Sequence, residues 1–210
     1  MPVAQTLAIH VNLVTSVPEE WAPSEASAEL ELGHLVPEPN LVFPIDNGHL
    51  VLSVFHQIGI RLQAPTISVV DYSGAIPIRS EVASIASQIA RIAAELSIQI
   101  PAYGWNAEID FSNFDGNRLI GSLFDIEVAE RRLGITPDQQ WAARRLELEQ
   151  ESDFSNKRTL ILQRTEPWDR NLLRLLLNEH MDRPPRPDEM ATEASDFGAS
   201  IEQLIARFTE

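Results

Sequence analysis

From Thr6 to Val14 the chain alternates, with Leu7, Ile9, Val11 and Leu13 on one side and Ala8, His10, Asn12 and Val14 on the other. That is the period of a strand half buried in a sheet. After a loop containing Pro and Glu, Val17 to Ala26, the stretch Ala28 to Val36 sets Leu30 and Leu32 against Glu29 and Glu31, which predicts a further extended segment with an acidic outer face. Leu41 to Ile45 and Leu50 to Leu62 then flank Asn47-Gly48, a pair suited to the positive backbone dihedrals of a hairpin turn. Gln63 to Pro65 breaks the run before a short β-rich stretch, Thr66 to Tyr72. The pattern predicts an antiparallel meander over this first part of the chain.

The period changes at Ser80. Val82, Ile85, Ile89, Ile92 and Leu96 recur at spacings of three and four, and Ala83, Ala86, Ala90 and Ala93 widen the stripe, predicting a helix from Ser80 to Ile98 with Ser80 as its N-cap. The stripe resembles a short coiled-coil seam, but its breadth fits a helix laid across a sheet better. Trp105 to Phe111 alternates again as a strand. Asn117 to Leu133 is predicted helical, closed by Gly134 with Arg131 and Arg132 in its last turn, and a brief helix follows Thr136-Pro137-Asp138. Arg145 to Gln150, Arg158 to Thr165 and Leu172 to Met181 read as three consecutive strands. The run Arg183 to Pro187 cannot continue a central strand because proline lacks the ladder donor. Beyond it Phe197, Ile201, Leu204, Ile205 and Phe208 mark one helical face, with Thr192 or Ser195 as cap.

In sum the order of elements predicts an α+β fold, with an antiparallel sheet or sheets packed against a central Ala-rich helix and a C-terminal amphipathic helix. One domain over 1–183, with related halves 1–100 and 101–183, would be followed by a Pro-rich connector, 184–191, and a helix over 192–210 docking on the domain or on a partner. The tetrapeptide Asp-Phe-Ser-Asn at Asp110 to Asn113 recurs at Asp153 to Asn156, which gives the two halves weak support.

Charge changes the picture more than size does. Among 210 residues 31 are acidic and 16 basic, a formal charge of −15. Direct nucleic-acid binding is therefore not expected, since phosphate neutralisation needs an excess of cations on at least one face. Hydrophobic content of 44% with 22% charged residues is that of a folded core. Absence of cysteine removes disulfides, thiolate nucleophiles, thiolate zinc sites and iron–sulfur clusters. Met1 to Thr15 lacks the cationic start and apolar run of a secretory signal. The nearest uncharged segment, Asn47 to Ile60, is interrupted by His49, His56 and Gln57 and is too short to span a membrane. A soluble, cytoplasmic protein is expected.

Motifs that would announce a chemistry are missing. No glycine-rich phosphate loop, nucleophile elbow, paired-histidine zinc helix or calcium loop occurs. Asp115-Gly116-Asn117 and Asp46-Asn47-Gly48 read as turns. No cofactor and no metal are expected. The five histidines, His10, His34, His49, His56 and His180, include no pair at strand or helix ligand spacing. The best constellation is Asn178, His180 and Asp182 on one face of the last strand, with His10 and Asn12 offering a similar polar face on the first. If those two strands were neighbours, a small polar site would form. His34, His49 and His56 lie in apolar stretches and are expected at the edge of the core. The arginines are expected to bridge to the many glutamates, because adjacent antiparallel strands bring opposite charges together. Pro184 to Pro187 matches P-x-x-P and is read as a connector.

Two classes of function follow, with a third beside them. The first is a non-catalytic subunit working by contact with a protein partner or by self-association, through Phe197, Ile201, Leu204, Ile205 and Phe208 and through uncovered sheet edges. The second is a small-molecule-binding domain or enzyme, with a pocket between sheet and helices and with His10, Asn12, His180 and Asp182 as its polar groups. The third uses the acidic surface itself to occupy the basic groove of a nucleic-acid-binding partner.

Overall fold

The computed structural model describes residues 3–16, 32–112, 145–152, 156–164 and 173–209. Its strands are β1 (Val3–Val14), β2 (Leu41–Ile45), β3 (Gly48–Ser53), β4 (Ile58–Gln63), β5 (Thr66–Asp71), β6 (Ala102–Ser112), β7 (Arg145–Ser152), β8 (Asn156–Arg164) and β9 (Leu173–Met181). Among the described residues two α-helices, α1 (Ser80–Glu95) and α2 (Met190–Thr209), accompany them. All nine strands join one antiparallel sheet in the order β2-β3-β4-β5-β1-β6-β9-β8-β7. The protein is α+β. Among the described residues no helix is long and apolar enough to cross a membrane.

Strand alternation decides which face is buried. Ile9, Val11 and Leu13 of β1, Trp105, Ile109 and Phe111 of β6, and Leu173, Leu175 and Leu177 of β9 all turn to the same side and are shielded from water. Both helices lie on that side. The predicted stripe of α1 packs there through Val82, Ile85, Ile89 and its alanines, and α2 sets Phe197 against Trp105 and Phe208 against Phe111. Each fully buried Ile, Leu or Phe contributes about 1.5–3 kcal/mol, so this layer is the main source of stability.

A two-fold pattern runs through the sheet. Each half is a long strand, then a meander whose last strand returns to pair with the first, then a helix: β1, β2 to β5 and α1; β6, β7 to β9 and α2. Each helix starts nine positions past the last residue of its meander, 71 to 80 and 181 to 190. The seam register agrees. Ile9 faces Ala107 and Leu13 faces Tyr103, so the pattern centres on the pair Val11 and Trp105. Superposing Ile9 on Tyr103 and Val11 on Trp105 carries Asp71 onto Met181 and Val69 onto Glu179, their respective partners. Under this relation α2 belongs with the second half. The Asp-Phe-Ser-Asn repeat does not follow it, because the first copy begins in β6 and the second ends at the start of β8.

Several expectations are corrected. Residues 33 to 35 form a short 3-10 turn rather than a strand, because Leu32, Leu35 and Val36, at helical spacing, are the side chains that reach the core. Leu50 to Leu62 is two strands, not one: Val54 to Gln57 turn the chain, and Gln57 takes φ 54°. The hairpin turn before it is Asp46-Asn47, one residue earlier than predicted, with Asn47 at φ 57°. Gly48 is already in β3, where a Cβ would fall 1.8 Å from the Leu62 carbonyl oxygen. The N-cap of α1 is Arg79 rather than Ser80, and it makes no side-chain cap; its guanidinium is held by Asp71 instead. The helix stops at Glu95, three residues short of Ile98, where Ser97 takes φ 60° and the N–H of Ile98 returns to the Ala93 carbonyl. Helix α2 starts at Met190, which is fully buried, so Thr192 and Ser195 lie inside it and cannot cap it. His34 and His56 are exposed rather than at the core edge. The helices predicted at Asn117 to Leu133 and after Thr136 lie outside the described residues.

Candidate functional site

The second face of the sheet carries the polar halves of the same strands. Antiparallel register stacks them in rows, with direct partners about 5 Å apart. One row reads Arg61, Ser68, Asn12, Gly104, His180, Lys157 across β4, β5, β1, β6, β9 and β8. Its neighbour reads Val70, His10, Asn106, Asn178, Thr159 across five of those strands.

The histidine-bearing strands are therefore not neighbours, for β6 lies between them. His10 and Asn12 do share a face with His180, but Asn12 and His180 stand about 10 Å apart, two strand spacings, with the bare backbone of Gly104 between. His180 Nε2 meets Asp182 Oδ1 at 2.7 Å, as their spacing implied. Both are partly or largely exposed, so the pair is weak.

Polar groups on the β6 and β9 side satisfy one another. Asn178 donates to the side-chain oxygen of Asn106, whose amide donates to the Gly104 carbonyl at 3.2 Å. Arg174 holds Asp110 through two nitrogens, at 2.8 and 3.0 Å, and Glu108 at 2.5 Å. Lys157 pairs with Glu149, while on the helix-covered face Arg158 pairs with Glu179 and reaches Ser200 of α2. The predicted arginine bridges thus form along this half.

On the β1, β5 and β4 side the situation is reversed. A recess of about 470 Å³ is bounded by His10, Asn12, Arg61, Ser68 and Tyr72. Among the described residues none of these five side chains makes a hydrogen bond, and Arg61 has no carboxylate partner. Glu108 also borders the recess and is engaged by Arg174, which it shares with Asp110. A second recess, about 330 Å³, adjoins through His10 and Glu108 and reaches Asn106 and Asn178.

His10 is half-buried, and its pKa is pushed down to about 4, first by burial and then by the positive charge of Arg61. The ring is neutral near pH 7, with one nitrogen donating and the other able to accept. Burial also raises the Tyr72 pKa, with Arg61 opposing, so the hydroxyl stays protonated and can donate. No hydroxyl bonds to either His10 or His180 among the described residues, so no nucleophile is paired with a base. Nor does any group of three or more His, Asp or Glu there stand where it could hold a metal ion. What the recess can do is hydrogen-bond a polar molecule and offer it one cation.

Sequence reasoning named His10 and Asn12 and missed Arg61, Ser68, Tyr72, Asn106 and Glu108. Alternation through Trp105 to Phe111 already put Asn106 and Glu108 on one face. Arg61 and Ser68 join Asn12 only through register. As for the helix face, Phe197 and Ile201 are fully buried in the chain's own core, with Leu204, Ile205 and Phe208 packed against it. That face docks on the domain itself.

The chain matches no family model and no curated protein. Among solved structures it is similar to the rolling circle replication initiator protein from Geobacillus stearothermophilus, with a TM-score of 0.31 and 11% identity over 93% of this chain and 80% of that one. A likeness at that level carries no functional argument.

Proposed function

We propose that the chain is a ligand-binding domain that holds a small polar molecule on the second face of its sheet, in the recess at His10, Asn12, Arg61, Ser68 and Tyr72. One contrast supports this reading above the others. Across β6 and β9 the polar side chains of that face pair with one another, whereas around the recess five have no partner among the described residues. Groups aimed into one hollow and left unpaired are what a specific site requires of its lining. Native mass spectrometry of the protein purified gently from its source tests the idea. A bound small molecule that is lost in Asn12→Ala is the expected result. A protein that carries nothing, and whose melting responds to no polar small molecule, would overturn it.

A second reading, an assembly subunit, is favoured by a different observation. Leu41, Phe43, Val54 and Phe55 are exposed, Phe55 by 81%, and they gather at the β2 end of the sheet, where Phe43 faces Leu50 and Leu41 faces Leu52. Pro44 blunts the β2 edge, because it offers no N–H to a further strand. A partner would therefore meet this patch through side chains. Light scattering at rising concentration tests it, with a stable oligomer that Phe55→Ser dissociates as the supporting outcome and a strict monomer with no partner as the opposing one.

A further inference from the structure

We infer that the ligand of the recess is an oxyanion, a carboxylate or phosphate group seated over Ser68 between Arg61 and Asn12. This inference rests on the ligand-binding reading above and names the chemistry it left open.

Three observations carry it. First, Arg61, Ser68 and Asn12 are consecutive partners in one row, and Ser68 is the short member. The longer side chains on either side of it, about 5 Å away each, leave a hollow floored by a hydroxyl. Second, Arg61 is a cation without a carboxylate partner among the described residues, in a chain with 31 acidic side chains against 16 basic ones. Among the described residues the arginines at 79, 158, 174, 183 and 186 each have one, whereas Arg61, like Arg91 and Arg207 on the helices, has none, and of these three only Arg61 borders this recess. A guanidinium facing a recess with its fork free is matched to the two oxygens of a carboxylate or phosphate. Third, the remaining wall is made of donors and neutral groups: the Ser68 and Tyr72 hydroxyls, the Asn12 amide and the uncharged His10 ring. The one carboxylate at the rim, Glu108, is held by Arg174, which it shares with Asp110.

The net charge of −15 does not forbid this. Its repulsion acts at long range and is screened beyond about 8–10 Å at physiological ionic strength, whereas the Arg61 contact is local. Cations are disfavoured by Arg61, and a neutral polyol would leave that charge unused.

The test is an NMR titration of the full chain at pH 7 and constant ionic strength, following the His10 ring protons with inorganic phosphate, acetate and glycerol as probes. A saturable response to phosphate or to acetate is expected, and which of the two saturates tells a phosphate-bearing ligand from a carboxylate. Affinity should fall about tenfold to a hundredfold in Arg61→Gln, the scale of a lost charge-assisted contact, and by less in Arg61→Lys. Arg61 is exposed and has no ion pair among the described residues, so both variants should melt as the parent does. Equal affinity of the oxyanion for Arg61→Gln and the parent overturns the inference. Saturation by glycerol alone, unaffected by Arg61→Gln, overturns the oxyanion while leaving the ligand-binding reading in place. Silence of His10 to all three probes, and to any molecule carried by the native protein, overturns both.

Discussion

Asp71 and Arg79 are joined through both carboxylate oxygens, with guanidinium Nε and one terminal nitrogen each at 2.8 Å, at a point where Asp71 is wholly shielded from solvent. Asp71 also accepts from the backbone and the hydroxyl of Ser73, and Arg79 donates to the His56 carbonyl. One ion pair thus ties the end of β5 to the start of α1 and to the turn between β3 and β4.

This pair should respond asymmetrically to mutation. Arg79→Met leaves a buried carboxylate uncompensated and should cost about 3–5 kcal/mol. Asp71→Asn should cost less, because Arg79 is a quarter exposed and can turn to water. Combining the two should restore part of the loss. Urea midpoints of the three variants check the order, and an Asp71→Asn variant as damaged as Arg79→Met would refute it.

His10 makes stability depend on pH. Its folded pKa, about 4, lies below the 6.5 of the unfolded chain, so the unfolded state takes up the proton first as pH falls. The contribution is fully present above pH 6.5, declines between 6.5 and 4, and levels off below. It amounts to about 3 kcal/mol. His10→Gln should flatten this part of the profile, as followed by urea unfolding from pH 7 to pH 4.

Gly48→Ala should be severely destabilising, by about 3 kcal/mol or more, because the added carbon would overlap a backbone carbonyl that cannot swing aside. Loss of soluble expression or a collapsed melting temperature is the expected readout. Gly198→Ala makes a useful contrast, since its nearest new neighbour is the flexible Ile78 side chain at 3.4 Å.

Tyr103 donates to Glu193 at 2.6 Å, and Arg183 both pairs with Glu193 and lies over the Tyr103 ring. Burial and the neighbouring carboxylate raise the Tyr103 pKa. Tyr103→Phe should cost about 1.5–3 kcal/mol, the value of a hydrogen bond to a charged acceptor, measured by chemical denaturation. The hydroxyl should also fail to titrate spectroscopically in the alkaline range where an ordinary tyrosine does.

Where one face of an element is buried, its period was legible in the sequence, as β1, β6, β9 and α1 illustrate. Legibility failed where apolar residues do something other than pack inward. Val54 and Phe55 are exposed in a turn, and as apolar residues between two apolar strands they hid the boundary between β3 and β4. In the sequence Leu30 and Leu32 alternate with Glu29 and Glu31, but among the described residues Leu32, Leu35 and Val36 follow a helical spacing. For the site, His10 and Asn12 stood out as polar residues sharing one face of a strand whose period is plain. Arg61 and Ser68 did not, because nothing local to either residue says which strand will lie beside it or in what register.

The two-fold pattern of the sheet places both halves on one shared core. Contacts away from the centre come as counterparts, Ile9 with Ala107 matched by Leu13 with Tyr103. Val11 and Trp105 sit where the pattern meets itself, both wholly shielded from water, and Trp105 packs against Phe197 of α2. A side chain altered at that pair borders both halves of the core at once.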